Sequence, residues 1–301
     1  MTMRRLVLPL LLASLTFTAR ADIRTLDVGR NPESVTRGFG GDYFVTIMGE
    51  RGSHPDAATD GEIRRVSPSG RVRVFSRGGL AEPKGIVFTG EALVTADGKN
   101  VWKIAADGSK TLLAGLDQFP EPPVYLNDVA NDPRGEGVYV TDMNNSGELF
   151  ATGSFAPLDD AGILARKPHG RVYHIAWNGT VTLALGDSPL MRYPNGVFVE
   201  PDGRILATSF WLGHVVAGYP GEAPQVIATG YRSGDGVEID DHGNLYVLEV
   251  LSGKIWQLPP HGRAPRLLHT AQSAADHYLD RDSNTLVVPD SKAGQLVFID
   301  L

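Results

Sequence analysis

The 301-residue chain contains no cysteine. No disulfide can brace it and no thiolate can ligate a metal, so the fold must be held by its apolar core. It also lacks an excess of positive charge. The formal net charge is -7, which removes nucleic acid from the expected partners. Long heptads and low-complexity tracts are absent. No Gly-rich phosphate loop follows a strand and opens a helix, and Gly-x-Ser-x-Gly does not occur, so a nucleophile elbow is excluded. Beyond the first 21 residues no apolar run is long enough to span a bilayer.

That N-terminal stretch reads as a secretory signal. Arg4 and Arg5 make the basic start, Leu6 to Phe17 the apolar centre, and Ala19-Arg20-Ala21 the small-x-small cleavage pattern. A secreted protein of the bacterial periplasm is expected, with the mature chain running from Asp22 to Leu301 as one domain.

The chain is rich in turn formers, with 35 Gly and 20 Pro. Six times a turn-like pair leads into an apolar strand. The starts are Pro32-Glu33-Ser34-Val35, Pro83-Lys84-Gly85-Ile86, Leu126-Asn127-Asp128-Val129, Pro194-Asn195-Gly196-Val197, Gly234-Asp235-Gly236-Val237 and Ala275-Asp276-His277-Tyr278. Turns such as Pro201-Asp202-Gly203 and Asp241-His242-Gly243-Asn244 follow, then a second strand. A period near 40 residues built from short strands predicts an all-β, six-bladed β-propeller. The last blade lacks a strand, while Ile23–Val28 is a strand without a blade. The N-terminal strand is therefore predicted to close the ring by pairing in the last blade.

The second residue of each start should face the central channel. That ring is Glu33, Lys84, Asn127, Asn195, Asp235 and Asp276, spaced by 51, 43, 68, 40 and 41 residues. The two long spacings hold insertions at about 49–60 and 144–170, predicted to rise as lids on the ring's face. Three acids and one lysine leave a formal charge of -2, and crowded like charges in a dehydrated channel need neutralising. Two readings satisfy this. One is a bound hard cation, Ca²⁺ first and Mg²⁺ or Mn²⁺ next, since the candidate ligands are oxygens. The other is a polar channel with ion pairs such as Lys84 to Glu33 or Asp276.

The run Asn127-Asp128-Val129-Ala130-Asn131-Asp132-Pro133 with Tyr139-Val140-Thr141-Asp142 resembles the SMP-30/gluconolactonase/LRE family. So do Pro194-Asn195-Gly196 with Pro201-Asp202-Gly203, and Gly234-Asp235-Gly236 with its following turn. NHL-type and strictosidine-synthase-like propellers share these turns. The resemblance implies one divalent metal in the channel, held by Glu33, Asn195 and Asp235, and hydrolysis of a lactone or related ester. It further implies Asp235 as the proton acceptor from water and Asn127 on the substrate side, where Lys84 and Asp276 of the ring are also expected. Three departures stand out: Lys84 in the ring, Tyr125 where sugar-specific members often carry arginine, and Glu-Ser-Val at the opening. The alternative function is a non-catalytic propeller binding a ligand or a protein on its top face.

Overall fold

A computed structural model describes residues 22–49 and 60–301. The expected signal segment and most of the first insertion lie outside the described residues. The rest forms six four-stranded antiparallel sheets arranged as blades. Blade I comprises Pro32–Arg37, Tyr43–Ile47, Gly61–Val66 and Val72–Leu80, from the channel outward. Blade II runs from Pro83–Phe88 to Lys110–Ala114, blade III from Leu126–Asn131 to Val181–Leu185, and blade IV from Pro194–Val199 to Gln225–Thr229. Blade V runs from Gly234–Ile239 to Arg266–Thr270. Blade VI takes Tyr278–Asp280, Thr285–Asp290 and Gln295–Asp300 from the C-terminus, and its outer strand is Ile23–Asp27. Ile23 pairs with Ile299 and Asp27 with Gln295, so the two chain ends close the ring. No helix among the described residues is long and apolar enough to cross a membrane.

The core is a set of seams between neighbouring blades. Strand alternation feeds them: in Ile205–Ser209, Ile205 and Ala207 pack towards blade III while Leu206 packs towards blade V. Phe44, Ile63, Ile86 and Leu93 fill the seam between blades I and II, and Val35, Val45, Val287 and Phe298 the closing seam. A separate apolar cluster lies above blades III to V. It joins Leu149, Ala156 and Ile163 of the second insertion to Tyr193, Phe210 and Trp211. The predicted lid at 144–170 is thus a packed structure. Trp211 is fully buried, and its indole N–H donates to the Ala156 carbonyl at 3.0 Å. Arg192 donates to the carbonyls of Ile163, Leu164 and Arg166 at the end of the short helix Ala161–Leu164.

One irregularity sets the channel. In blade I, Pro32 pairs with Ile47 and Val35 with Val45, so Glu33 and Ser34 together oppose Thr46. The same β-bulge follows Pro83, Leu126, Pro194 and Gly234. Two consecutive residues per blade are thereby directed to the channel, where a regular strand would supply one. Threonines brace the bulges. Thr141 accepts from the Asp128 amide of its own blade and donates to the Asn195 carbonyl of the next. Thr208 does the same between the Gly196 amide and the Asp235 carbonyl.

Blade VI corrects the sequence register. Ala274 bridges Asp290, the position that Pro32 occupies against Ile47, and Tyr278 pairs with Val287. Ala275 therefore holds the ring position and Asp276 the place below it, equivalent to Ser34. The sequence misled because Ala275-Asp276 repeats the small residue followed by aspartate of Gly234-Asp235. The innermost strand here is only three residues long, too short for its apolar pattern to fix the register.

Candidate functional site

The upper layer of the channel is Glu33, Lys84, Asn127, Asn195, Asp235 and Ala275, at the floor of a cavity of about 670 Å³. All five polar members are buried. The structure thus brings together five of the six expected residues. Asp276 does not line this cavity. It lies below, and its carboxylate accepts the Ser34 hydroxyl at 2.5 Å. It lines a second cavity of about 430 Å³ at the opposite end, with Asp128, Glu238, His277 and Arg281.

In the upper layer, Asp235 Oδ1 and Asn195 Oδ1 are fully buried and meet no hydrogen-bond donor among the described residues. A buried, unmatched carboxylate oxygen is costly. Burial first, then the charges of Glu33 and Asp276, raise the Asp235 carboxyl well above the usual range, and Lys84 offsets only part of this. Lys84 Nζ lies 4.0 Å from Glu33 Oε1, 3.2 Å from Met48 Sδ and 4.9 Å from the centre of the Tyr125 ring. Burial works to discharge the ammonium. The Tyr125 hydroxyl and the Glu33 and Glu82 carboxylates overcome this, and Lys84 sits above its ordinary value. Tyr125 is in turn held by a 2.8 Å hydrogen bond to Glu82. The Asn127 amide donates to Met143 Sδ at 3.2 Å, a weak acceptor that a better one can displace.

Three of the acids that end second strands bond the backbone. Asp97 accepts the amides of Ala81 and Glu82, Asp142 those of Val124 and Tyr125, and Asp290 those of Gln272 and Ser273. Each carboxylate fixes the segment that delivers the next channel residue. His169 lies 3.5 Å from Asp142, and His214, at the start of a strand, contacts the Leu190 carbonyl, while His54 lies outside the described residues.

Sequence reasoning missed the lower layer. Asp128 is buried and accepts the amides of Val129 and Val197, both at 2.7 Å. Burial first, then Asp276, raises its carboxyl. Asp128 follows Asn127 directly, and only the bulge reveals that both face the channel. His277 is buried with neither ring nitrogen hydrogen-bonded among the described residues, and burial lowers its pKa to about 3. No group of three or more His, Cys, Asp or Glu side chains suited to a metal occurs among the described residues. A cation in the upper layer would thus draw on an asparagine beside two carboxylates.

Residues 58–288 match the family described as SMP-30/Gluconolactonase/LRE-like region. The chain belongs to that family. The match begins after Glu33, so the opening strand falls outside it. Among solved structures the propeller is similar to "the putative gluconolactonase in protein family", at TM-score 0.66 and 15% identity over 94% of this chain and 93% of that one. It is also similar to a catalytically inactive virginiamycin B lyase from Staphylococcus aureus with quinupristin, at TM-score 0.59 and 12% identity over 94% and 100%. A third likeness is to a nidogen/laminin complex chain, at TM-score 0.56 and 15% identity over 76% of each. At these identities the likenesses speak for the fold. No curated protein matches the chain.

Proposed function

We propose that this SMP-30/gluconolactonase-type propeller is a divalent-cation-dependent hydrolase of a lactone or related carboxylic ester, acting at the channel mouth. One observation carries the reading: Asn195 Oδ1 and Asp235 Oδ1 are buried together without donors, beside Glu33, at the floor of the main cavity. The donor set is all oxygen, which fits Ca²⁺, and less closely Mg²⁺ or Mn²⁺. Glu33, Asn195 and Asp235 would hold the ion, whose chemistry is to polarise the ester carbonyl and favour the oxyanion.

The chain's own groups supply the rest. The Asn127 amide exchanges Met143 Sδ for the substrate carbonyl oxygen and orients it. Asp235, once ionised, accepts a proton from the attacking water, whose oxygen bonds to the carbonyl carbon. The ring C–O bond breaks, and Asp235 returns the proton to the departing alkoxide. Lys84 keeps its charge and limits the repulsion between Glu33 and Asp235. The leader Met1–Ala21 supports placing this activity in the periplasm.

The second reading, a non-catalytic binder, is favoured by Lys84 standing 4.0 Å from Glu33 and by Ala275 in the sixth ring position. The metal content of purified protein, then a lactone panel with and without chelator, separates the two. Bound cation and chelator-sensitive turnover support the hydrolase. Absence of both leaves the binder.

A further inference from the structure

The walls of the main cavity differ in character, and one recurrent turn shows why. The second strands of blades IV, V and VI end in equivalent turns closed by Gly213, Gly253 and Gly294, all at φ near +70°. The two residues leading each turn face the mouth or the lid. In blade IV they are Phe210 and Trp211, in blade V Val250 and Leu251, and in blade VI Ser291 and Lys292. Phe150 of the second insertion continues the apolar side. Its ring stacks on Phe155 at 5.4 Å, and Phe155 meets Phe210 edge-on at 5.5 Å. Trp211 and the lid cluster fix this wall from behind. Phe150 and Leu251 nevertheless remain 39% and 41% exposed, both at the cavity. The facing wall is polar, with Arg30, Asn31, Ser291 and Lys292.

We propose that the wall of Phe150, Phe210, Val250 and Leu251 receives an apolar arm of the substrate. The ligand is then an amphipathic lactone or ester, its carbonyl at the channel floor and an alkyl or aryl substituent lying along blades III to V. This rests on the hydrolase reading for the reacting end, whereas the wall itself requires only that the cavity binds. A polyhydroxylated sugar lactone would leave these two exposed side chains against hydroxyls. An alkyl arm would remove apolar surface of both partners from water. The cavity, about 670 Å³, has room for such an arm.

The test uses γ-lactones with n-alkyl chains from methyl to octyl, and the matching γ-lactams as non-hydrolysed probes, on the mature chain with Ca²⁺. Catalytic efficiency on the lactones and calorimetric affinity for the lactams should both rise, by up to about fourfold per methylene, until the chain outgrows the wall. Phe150→Ser and Leu251→Asn, both at exposed positions, should flatten that slope, and Lys292→Gln should leave it intact. A lactam slope without turnover of any lactone would remove the hydrolase reading and uphold the wall. A flat lactam slope in the native sequence, or one unchanged in both wall variants, would overturn the wall whatever the turnover.

Discussion

Replacing Asp235 by Asn should raise the stability of the ion-free protein and blunt its response to Ca²⁺. Asp235 is buried, its Oδ1 lacks a donor among the described residues, and burial with Glu33 and Asp276 raises its pKa. The sign follows from linkage. A carboxyl whose folded pKa lies above its unfolded value costs stability as pH rises from the unfolded value towards the folded one, and the cost persists above. Asn keeps the shape and removes the charge. Relief of such a penalty is worth on the order of 1–3 kcal/mol, which in a domain of this size raises Tm by about 2–6 °C. With Ca²⁺ that advantage should shrink or vanish. A ligand at a hundred times its Kd stabilises by about 2.7 kcal/mol, or roughly 5 °C in Tm. Asp235→Asn should lose most of that gain, because a charged ligand has become neutral. Differential scanning calorimetry of both proteins, after chelation and with a Ca²⁺ titration, measures all four values. A lower ion-free Tm in Asp235→Asn would refute the reasoning, since the carboxylate would then be well paired. A rise in ion-free Tm with no Ca²⁺ response in either protein would retain the electrostatics and sink the cation site.

Further outcomes follow from the same geometry. Lys84→Met removes the cation 4.0 Å from Glu33, so Ca²⁺ affinity by calorimetry should rise several-fold, and a fall would count against Glu33 as ligand. Asp235→Asn should lose most lactone turnover while keeping partial ion binding, which a chelator-controlled rate assay reads. Trp211→Phe forfeits the bond to the Ala156 carbonyl, about 1 kcal/mol, and should speed native-state proteolysis within 144–170, with unaltered cleavage counting against a lid anchored there. His277 has its folded pKa lowered from 6.5 to about 3 by burial first and then by Arg281. Below pH 6.5 the unfolded chain takes up a proton that the folded one refuses. This residue therefore removes stability as pH falls, by about 1.4 kcal/mol per pH unit once below 6.5 and until near pH 3. Denaturant titrations of His277→Gln across that range should show a shallower slope.

The propeller was legible because its signals are local and repeated. Pro194-Asn195-Gly196 and Gly234-Asp235-Gly236 mark strand starts by turn chemistry alone, and Ile23–Asp27 declares itself by having no blade. The closing pair and the ring of blades I to V were read on that basis. The lower layer was not, because a bulge changes which side chains share a face without changing the sequence pattern. Asp128, next to Asn127 in the chain, therefore gives no sign in the sequence that it too faces the channel. In blade VI residue types overruled geometry, and Asp276 was set where Ala275 stands. The wall of Phe150, Phe210 and Leu251 was illegible for another reason. It is assembled from three blades by tertiary packing, and each residue alone resembles ordinary core or an incidental surface apolar group.

The pairing of Ile23–Asp27 with Gln295–Asp300 has a consequence for how the chain reaches this form. During synthesis the first strand emerges long before its partner. Blades I to V can each collapse as hairpins of neighbouring sequence, yet the arc they make stays open at both ends. Until blade VI emerges, the innermost strand of blade I lacks its contacts, among them the hydrogen bond that the Asp276 amide donates to the Glu33 carbonyl. The ring of channel residues is thus complete only once blade VI has docked on blade I. A truncation just after Gly294 removes the strand that joins Ile23–Asp27 to blade VI, and should leave the ring open.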